Sequence, residues 1–415
     1  MDDVLFARGQ MAMSLAFHII FAAIGVAMPL LTVLAEWRFR RTGDSDYLSL
    51  AHRWAKGTAV LFAVGAVSGT VLSFELGLLF PGFMRHAGPV IGMPFSLEGF
   101  AFFTEAIFLG LYLYGWEKLG PRTHLFAGAV VAASGAASAA FVTIANAWMN
   151  APRGFRVESG RFVDIDPIAA MGTPFAPHEI VHGTVAAYLA TGAAVAAIHA
   201  IGLLRNPQSA FHRKALGLAL ALSVPTALVQ PLAGHWAGHE IAKRQPAKLA
   251  AIEQLERTQS RAPVSVGPIE IPWGLSILAG NSPDTVVIGL EDIPPADRPP
   301  SIVQPFFQAM VLCGVLLAGH ALWSLWLRIR HRAPSARFLR ATVLAGPLGF
   351  LALEAGWVVT EVGRQPWVIY NVLRTADSVT PMRGLVVPFV AVSLVYLMLS
   401  AVVIEILRRQ FREAA

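Results

Sequence analysis

The sequence predicts an all-α, polytopic membrane protein, with nine transmembrane helices gathered in a bundle. Three observations predict it. Of 415 residues, 55% are hydrophobic and only 14% are charged, whereas a soluble domain carries about 25% charged residues. Nine apolar segments come close to the roughly 20 residues that a helix needs to cross hydrocarbon. Lysines and arginines fall on alternate connections, as they do when those connections face the cytoplasm.

In chain order the segments run approximately over 11–35, 57–80, 94–116, 125–148, 179–204, 215–236, 302–327, 338–361 and 385–406. The connections after the first, third, fifth and seventh segments, with the tail after the ninth, hold 18 of the 32 lysines and arginines, among them Arg38, Arg40, Arg41, Arg213, Arg328 and Arg408. That asymmetry places the N-terminus outside and the C-terminus in the cytoplasm, and an odd number of spans agrees. The basic residues are thereby assigned to a membrane face, not to nucleic acid. One connection is long. Residues 237–301 are polar and rich in proline, and 248–257 reads as a short helix within them. A loop of this length usually has a task; the plain alternative is a solvated linker. The chain divides accordingly into 1–236 with six spans, 237–301 as an external loop, and 302–415 with three spans. The opening Met-Asp-Asp is acidic, unlike the basic start of a cleavable signal peptide. The single cysteine, Cys313, excludes a disulfide framework and a four-cysteine metal site. No internal repeat is visible, which speaks against a repeat-built transporter.

Buried polar groups carry the functional argument, because an ionisable side chain in a bilayer is costly and usually faces a partner inside the bundle. They are densest in 351–367, LALEAGWVVTEVGRQPW, where Glu354, Trp357, Glu361 and Arg364 recur at spacings of three, four and three and so share a helical face. Pro366 should stop that helix by Arg364. Measured from the expected outer ends, His18 lies about two turns deep and His182 about one turn, with His178 just before it. Met310 lies about two turns into its span. Glu75 and Glu361 lie near helix ends, and Glu98 and Glu105, seven apart on one face, fall in the outer half of the third span. Six helices thus contribute to one depth, which marks a cofactor or ion site near the outer face. Singly, each residue has a bland reading: an intramembrane histidine is often packed and hydrogen-bonded, and a methionine is ordinarily core. Together, His and Met make an axial pair for low-spin haem, and His or a carboxylate holds high-spin iron. Glu98 and Glu105 suit a proton relay, and Ser134, Ser138 and Thr143 line part of a path. His124, His199 and His320, toward the cytoplasmic half, read as structural.

The motifs resemble those of subunit I of the cytochrome bd-type quinol oxidases along nearly the whole chain. They are RGQMAMSLAFHIIF around His18, GTVLSFELG around Glu75, SLEGFAFFTEAIFLGLYLYGWEKLG around Glu98 and Glu105, ANAWMNAP around Asn146, and EIVHGTVAAYLATG around His182. QPAKLAAIE around Lys248 and Glu253, VIGL, QAMVLCG around Met310, and EAGWVVTEVGRQPW complete the set. GRQPW and QPAKLAAIE are the most specific.

The resemblance implies an enzyme of the bacterial inner (cytoplasmic) membrane that oxidises quinol in the external loop and reduces dioxygen to water, generating a proton gradient. It implies three haems near the outer face. His182 and Met310 look like ligands of a low-spin haem b, and His18 and Glu361 like those of a high-spin haem b and a third haem, d or b. Asn146 and Gln308 look like cofactor-side residues, Lys248 and Glu253 like quinol residues, Glu98 and Glu105 like proton-path groups. Trp357 falls where an aromatic sits between haems, beside Arg364. Subunit II, with small single-helix subunits, is the implied partner. Two departures stand out: Gln308 replaces an arginine that some members carry before the axial methionine, and a long insertion after VIGL is absent. A competing reading is a quinol-linked membrane cytochrome b without oxygen chemistry, which needs only the low-spin pair. Another, an ion or substrate transporter, explains buried carboxylates but not Met310 or GRQPW.

Overall fold

The computed structural model describes residues 2–267 and 269–412. Among them, nine helices are long and apolar enough to cross a membrane: Asp3–Thr42 (span 1), Ser45–Leu79 (span 2), Pro81–Tyr114 (span 3), Pro121–Asn150 (span 4), Ala176–Arg205 (span 5), Ala210–Arg244 (span 6), Val303–Ile329 (span 7), Ala336–Val362 (span 8) and Val386–Arg409 (span 9). The all-α polytopic bundle is the one the sequence predicts.

The helices overrun the apolar segments that announce them. Span 2 starts at Ser45 because Asp44 caps it, accepting from the Asp46 amide at 3.0 Å. Span 3 starts at Pro81, where the first helical turn needs no N–H, and carries Pro89 and Pro94 inside it. Span 6 continues to Arg244, so the long connection is 245–302. Depths change with these ends. His18 lies about four turns from Asp3, not two. Glu98 falls at the middle of span 3, and Glu105 about two turns beyond it, away from the expected outer side. The shared outer depth holds for Glu75, His182, Met310 and Glu361, and for His18 as well, because Trp357 packs against Ile19 while the adjacent Gly356 faces Met310; it fails for Glu98 and Glu105.

Two four-helix groups, spans 1–4 and spans 5–8, meet along spans 1, 4 and 5, and span 9 lies against span 1. Span 5 is the most enclosed, with 67% of its most apolar window buried within the chain, against 11% for span 9. Small residues allow the close meeting. Span 8 is interrupted between Ala345 and Leu348, at Gly346-Pro347. A Cβ on Gly349 would come within 2.4 Å of the Ala190 Cα on span 5. That contact seats the second half of span 8 and delivers Glu361 to its partners.

The bundle has a basic end, closed by Arg40 and Arg41 of span 1, Arg205 of span 5 and Arg328 of span 7. Its opposite end is covered by the long connection. There a loop helix, Pro246–Glu253, ends at Gln254 in the left-handed conformation, short of the expected 257. A hairpin follows, pairing Val264–Val266 with Ile269–Ile271. Leu249 packs with Ala262, Leu275 and Val287, and Ile252 with Val303 and Val359 of the spans below. The connection is therefore a packed cap, and the solvated-linker alternative fails.

Candidate functional site

Beneath the cap, seven residues from four segments form one largely buried network. Span 8 supplies Glu361, and Arg364 follows directly as the helix ends at Val362, as the proline requires. The Arg364 Nη2 donates to Glu361 Oε2 at 2.7 Å. Asn146 of span 4 donates to the other oxygen, Glu361 Oε1. One turn on, Asn150 donates to Glu179 Oε1 of span 5 at 3.2 Å and accepts from Lys248 Nζ at 2.8 Å and from Gln245 Nε2 at 3.1 Å. Arg364 is 2% exposed, yet its Nε and Nη1 have no partner. A buried guanidinium with idle donors is costly unless an anion completes it.

Lys248 was expected on the outer surface, beside Glu253. The structure separates them. On the eight-residue loop helix, Lys248 points down into the network and is 2% exposed, because Asn150 satisfies its ammonium. Burial, and then the Arg364 charge, pull its pKa below the usual lysine range. Glu253 turns the other way, accepting from the Ser265 amide at 3.2 Å while its Oε1 stays unpaired. Burial pushes its carboxyl up to about 7. Gln308, expected on the cofactor side, holds the same hairpin, donating to the Ser265 carbonyl at 2.6 Å and accepting from the Gly267 amide at 2.8 Å.

Among the remaining candidates, His18, Met310 and His182 each stand against a glycine. A Cβ on Gly69 would lie 3.0 Å from the His18 ring, one on Gly356 3.1 Å from Met310 Sδ, and one on Gly234 3.6 Å from the His182 ring. His18 Nδ1 meets Ser68 Oγ at 3.0 Å. That hydroxyl already donates to the Val64 carbonyl, so Nδ1–H is the donor and Nε2 keeps its lone pair free, the arrangement of a ligating imidazole. Gln230 Nε2 reaches His182 Nε2 at 3.2 Å. Glu75 accepts from Gln10 and Ser14 at 2.8 and 2.9 Å. Glu98 accepts from Ser138 at 3.0 Å, and the Glu105 carboxylate lies over Gly135. The Thr143 hydroxyl donates to its own helix, at Ala139. Trp357 packs with Ile19, Ala187 and Leu353, between spans 1, 5 and 8.

These residues fit haem on three counts: a free imidazole nitrogen at His18, glycine cradles beside His18, His182 and Met310, and idle Arg364 donors shaped for a carboxylate. Sequence reasoning gathered Asn146, Lys248, Glu361 and Arg364 but missed Asn150, Glu179 and Gln245. Amides carry no spacing signature, and Glu179 was read only as a helix boundary. It also passed over His178, which is buried with both ring nitrogens unpaired.

Comparison with known proteins agrees. The family model described as cytochrome bd terminal oxidase subunit I matches residues 6–415. The chain is 37% identical over 432 residues to a putative cytochrome bd menaquinol oxidase subunit I of Bacillus subtilis (strain 168), covering 100% of this chain and 97% of that one. It is 25% identical over 460 residues to cytochrome bd-II ubiquinol oxidase subunit 1 of Escherichia coli (strain K12), covering 91% and 90%. The solved bd oxidase from Geobacillus thermodenitrificans superposes with a TM-score of 0.94 at 39% identity, covering 100% of this chain and 99% of that one.

Proposed function

Because the chain belongs to the cytochrome bd terminal oxidase subunit I family, a family of multi-subunit terminal quinol oxidases, we propose that it oxidises quinol under its loop cap and reduces dioxygen to water. The basic end faces the cytoplasm, the N-terminus faces outside, and the lipid-facing flanks of the bundle meet subunit II and small single-helix subunits. Haem, when bound, supplies electron transfer and the iron at which dioxygen is reduced.

The chain's own residues hold and tune these groups. His182 and Met310 would hold a low-spin haem b. Turning the Gln230 amide about its last torsion sets its unpaired Oε1 against a ring N–H, which would fix the His182 tautomer. His18 and Glu361 would each hold one of two further haems, a high-spin haem b and a third of type d or b. Asn146 and Arg364 hold the Glu361 carboxylate in place, and the idle Arg364 donors would suit a haem carboxylate. Trp357 fills the space between spans 1, 5 and 8. Glu98 and Glu105 pass protons toward the site. At the cap, Glu253 takes a proton from quinol, and the hairpin it touches carries exposed Ile269, Ile271 and Trp273, an oily rim for an isoprenoid tail. Lys248 ties the loop helix to span 4 through Asn150.

The observation that carries this reading is the pair of partly exposed Glu361 and buried Arg364, with its unsatisfied guanidinium. The test is a reduced-minus-oxidised spectrum of the purified complex with pyridine haemochrome analysis, beside quinol-driven oxygen consumption. Three haems and oxygen uptake are expected. A low-spin signal alone, without oxygen uptake, overturns it in favour of an electron-transfer cytochrome.

A further inference from the structure

One buried group under the cap has no part in the scheme above. His178 stands at the outer end of span 5 and is 2% exposed, yet neither ring nitrogen has a hydrogen-bond partner. An imidazole always carries at least one N–H, and burying that donor unpaired is costly. The contacts that hold the ring are apolar. Phe175 meets it in a T-shaped contact with centroids 4.8 Å apart, and Trp236 of span 6 does so at 6.2 Å. The charged side chains whose fields reach it are engaged elsewhere: Glu240 accepts from Arg244 at 3.0 Å, and Lys248 donates to Asn150 at 2.8 Å. The ring is packed in place while the chain leaves its polar atoms unclaimed.

Its position narrows what claims them. His178 precedes His182 by four residues, so the two share a helical face and His178 lies one turn nearer the cap. Span 6 runs the other way and repeats that order, with Gly234 against the His182 ring and Trp236 against His178. Glu253, the group given to quinol, belongs to the span 7 side. It accepts from the Ser265 amide, in a hairpin held by Gln308, two residues before Met310. His178 is therefore placed over the His182 half of the site and not over the quinol half. Haem bears carboxylate side chains on one edge of its ring, and a carboxylate is the acceptor that a buried N–H needs.

We infer that His178 is a positioning residue for the low-spin haem, its ring N–H donating to a haem carboxylate one turn above His182. This rests on the reading that His182 and Met310 hold that haem. The negative charge of the carboxylate favours ferric iron, and a hydrogen bond to it weakens that bias. His178 then seats the haem and holds its reduction potential up. Arg364 offers a charged donor on the Glu361 side; His178 offers an imidazole donor on the His182 side.

The test uses the whole purified complex, titrated electrochemically while its absorption is followed. His178→Phe keeps a ring between Phe175 and Trp236 but has no donor, and His178→Gln keeps an N–H. In His178→Phe the low-spin midpoint should shift to lower potential, and in His178→Gln it should return toward the wild-type value. The high-spin midpoints and the KM for quinol should stay in place. With isotope-labelled haem carboxylates, the carboxylate band of the reduced-minus-oxidised infrared spectrum should move in His178→Phe and be restored in His178→Gln. A wild-type midpoint with an unmoved band in His178→Phe overturns the inference and leaves His178 a packing residue. A raised KM for quinol with an unmoved midpoint also overturns it, and assigns the ring to quinol. If His178→Phe does not assemble, dipolar coupling between labelled haem carboxylates and labelled histidine nitrogens decides, in the dithionite-reduced complex. Coupling present in wild type and lost in His178→Gln supports the contact; no coupling, or coupling kept in His178→Gln, overturns it. A wild-type complex with no low-spin haem would instead sink the reading on which the inference rests.

Discussion

Two buried polar clusters occupy opposite ends of the bundle, and their unsatisfied atoms differ in kind. Under the cap, the idle groups are cationic donors, Arg364 Nε and Nη1, beside a carboxylate whose two oxygens are already held by Asn146 and Arg364. At the basic end, the groups left over are a carboxylate oxygen and a phenol, Glu36 Oε2 and the Tyr112 hydroxyl, which lie close enough to interact with each other. Unpaired cationic donors suit a resident anion; a carboxylate oxygen facing a phenol can be completed from within the chain. Both contain a Glu and an Arg within one turn, so composition alone does not tell them apart. What is left unpaired does.

The largest expected effect tests the first half of that contrast. Glu361→Ala should deplete or alter one high-spin haem and lower oxygen reduction by at least about a hundredfold, with the low-spin haem still reducible. The corresponding change at the other end, at Glu36, should leave every haem in place. Full haem content and turnover per assembled complex in Glu361→Ala would reduce the Glu361–Arg364 pair to a salt bridge and erase the distinction. Met310→Leu comes next. It keeps volume while removing the thioether, so the low-spin signal should be lost or shifted and quinol-driven turnover should drop, while high-spin signals persist; an unchanged low-spin spectrum removes Met310 from the site. Arg364→Lys is milder. It retains the charge but not the fork, so haem content or midpoint potential should move and oxygen uptake fall by about tenfold. A lysine that restores everything would show that charge alone, not bidentate geometry, fills the hole.

The sequence made the bundle legible because length and apolarity of a span are local properties. Span ends were less so. Pro89 and Pro94 read as a boundary, yet span 3 runs through both, and Glu98 and Glu105 moved from the outer half to the middle and beyond. The ligand candidates were visible through motif and spacing. Their partners were not: Asn150 and Gln245 lie 95 residues apart, and Glu36 and His124 lie 88 apart. A pair that distant has no periodicity to betray it, and His124 taken alone read as structural. Lys248 and Glu253 erred in the opposite sense. Adjacent in a charged stretch, they read as one surface, but five residues on a helix turn them to different sides, one to the network and one to the hairpin.

That divergence supports the smallest effect, which separates the two cap residues. Burial raises the Glu253 carboxyl from the ordinary 4.5 to about 7, and the Ser265 amide offsets this only in part. The folded cap therefore holds a proton that the unfolded chain gives up above its lower pKa. Stability contributed by Glu253 is fully present below pH 4.5, falls as pH rises, and is lost above about 7. Glu253→Gln removes that loss, so at pH 8 the cap should resist proteolysis and hydrogen exchange better than wild type, by at most on the order of 3 kcal/mol, and match it at pH 4. Function should run against stability. If the carboxylate takes the quinol proton, wild-type kcat/KM should rise between pH 6 and 8 with a midpoint near 7. In Glu253→Gln that rise should vanish, while dithionite still reduces the haems normally. An unchanged pH limb with a stabilised cap would make Glu253 a strained structural acid and return quinol oxidation to other groups of the cap.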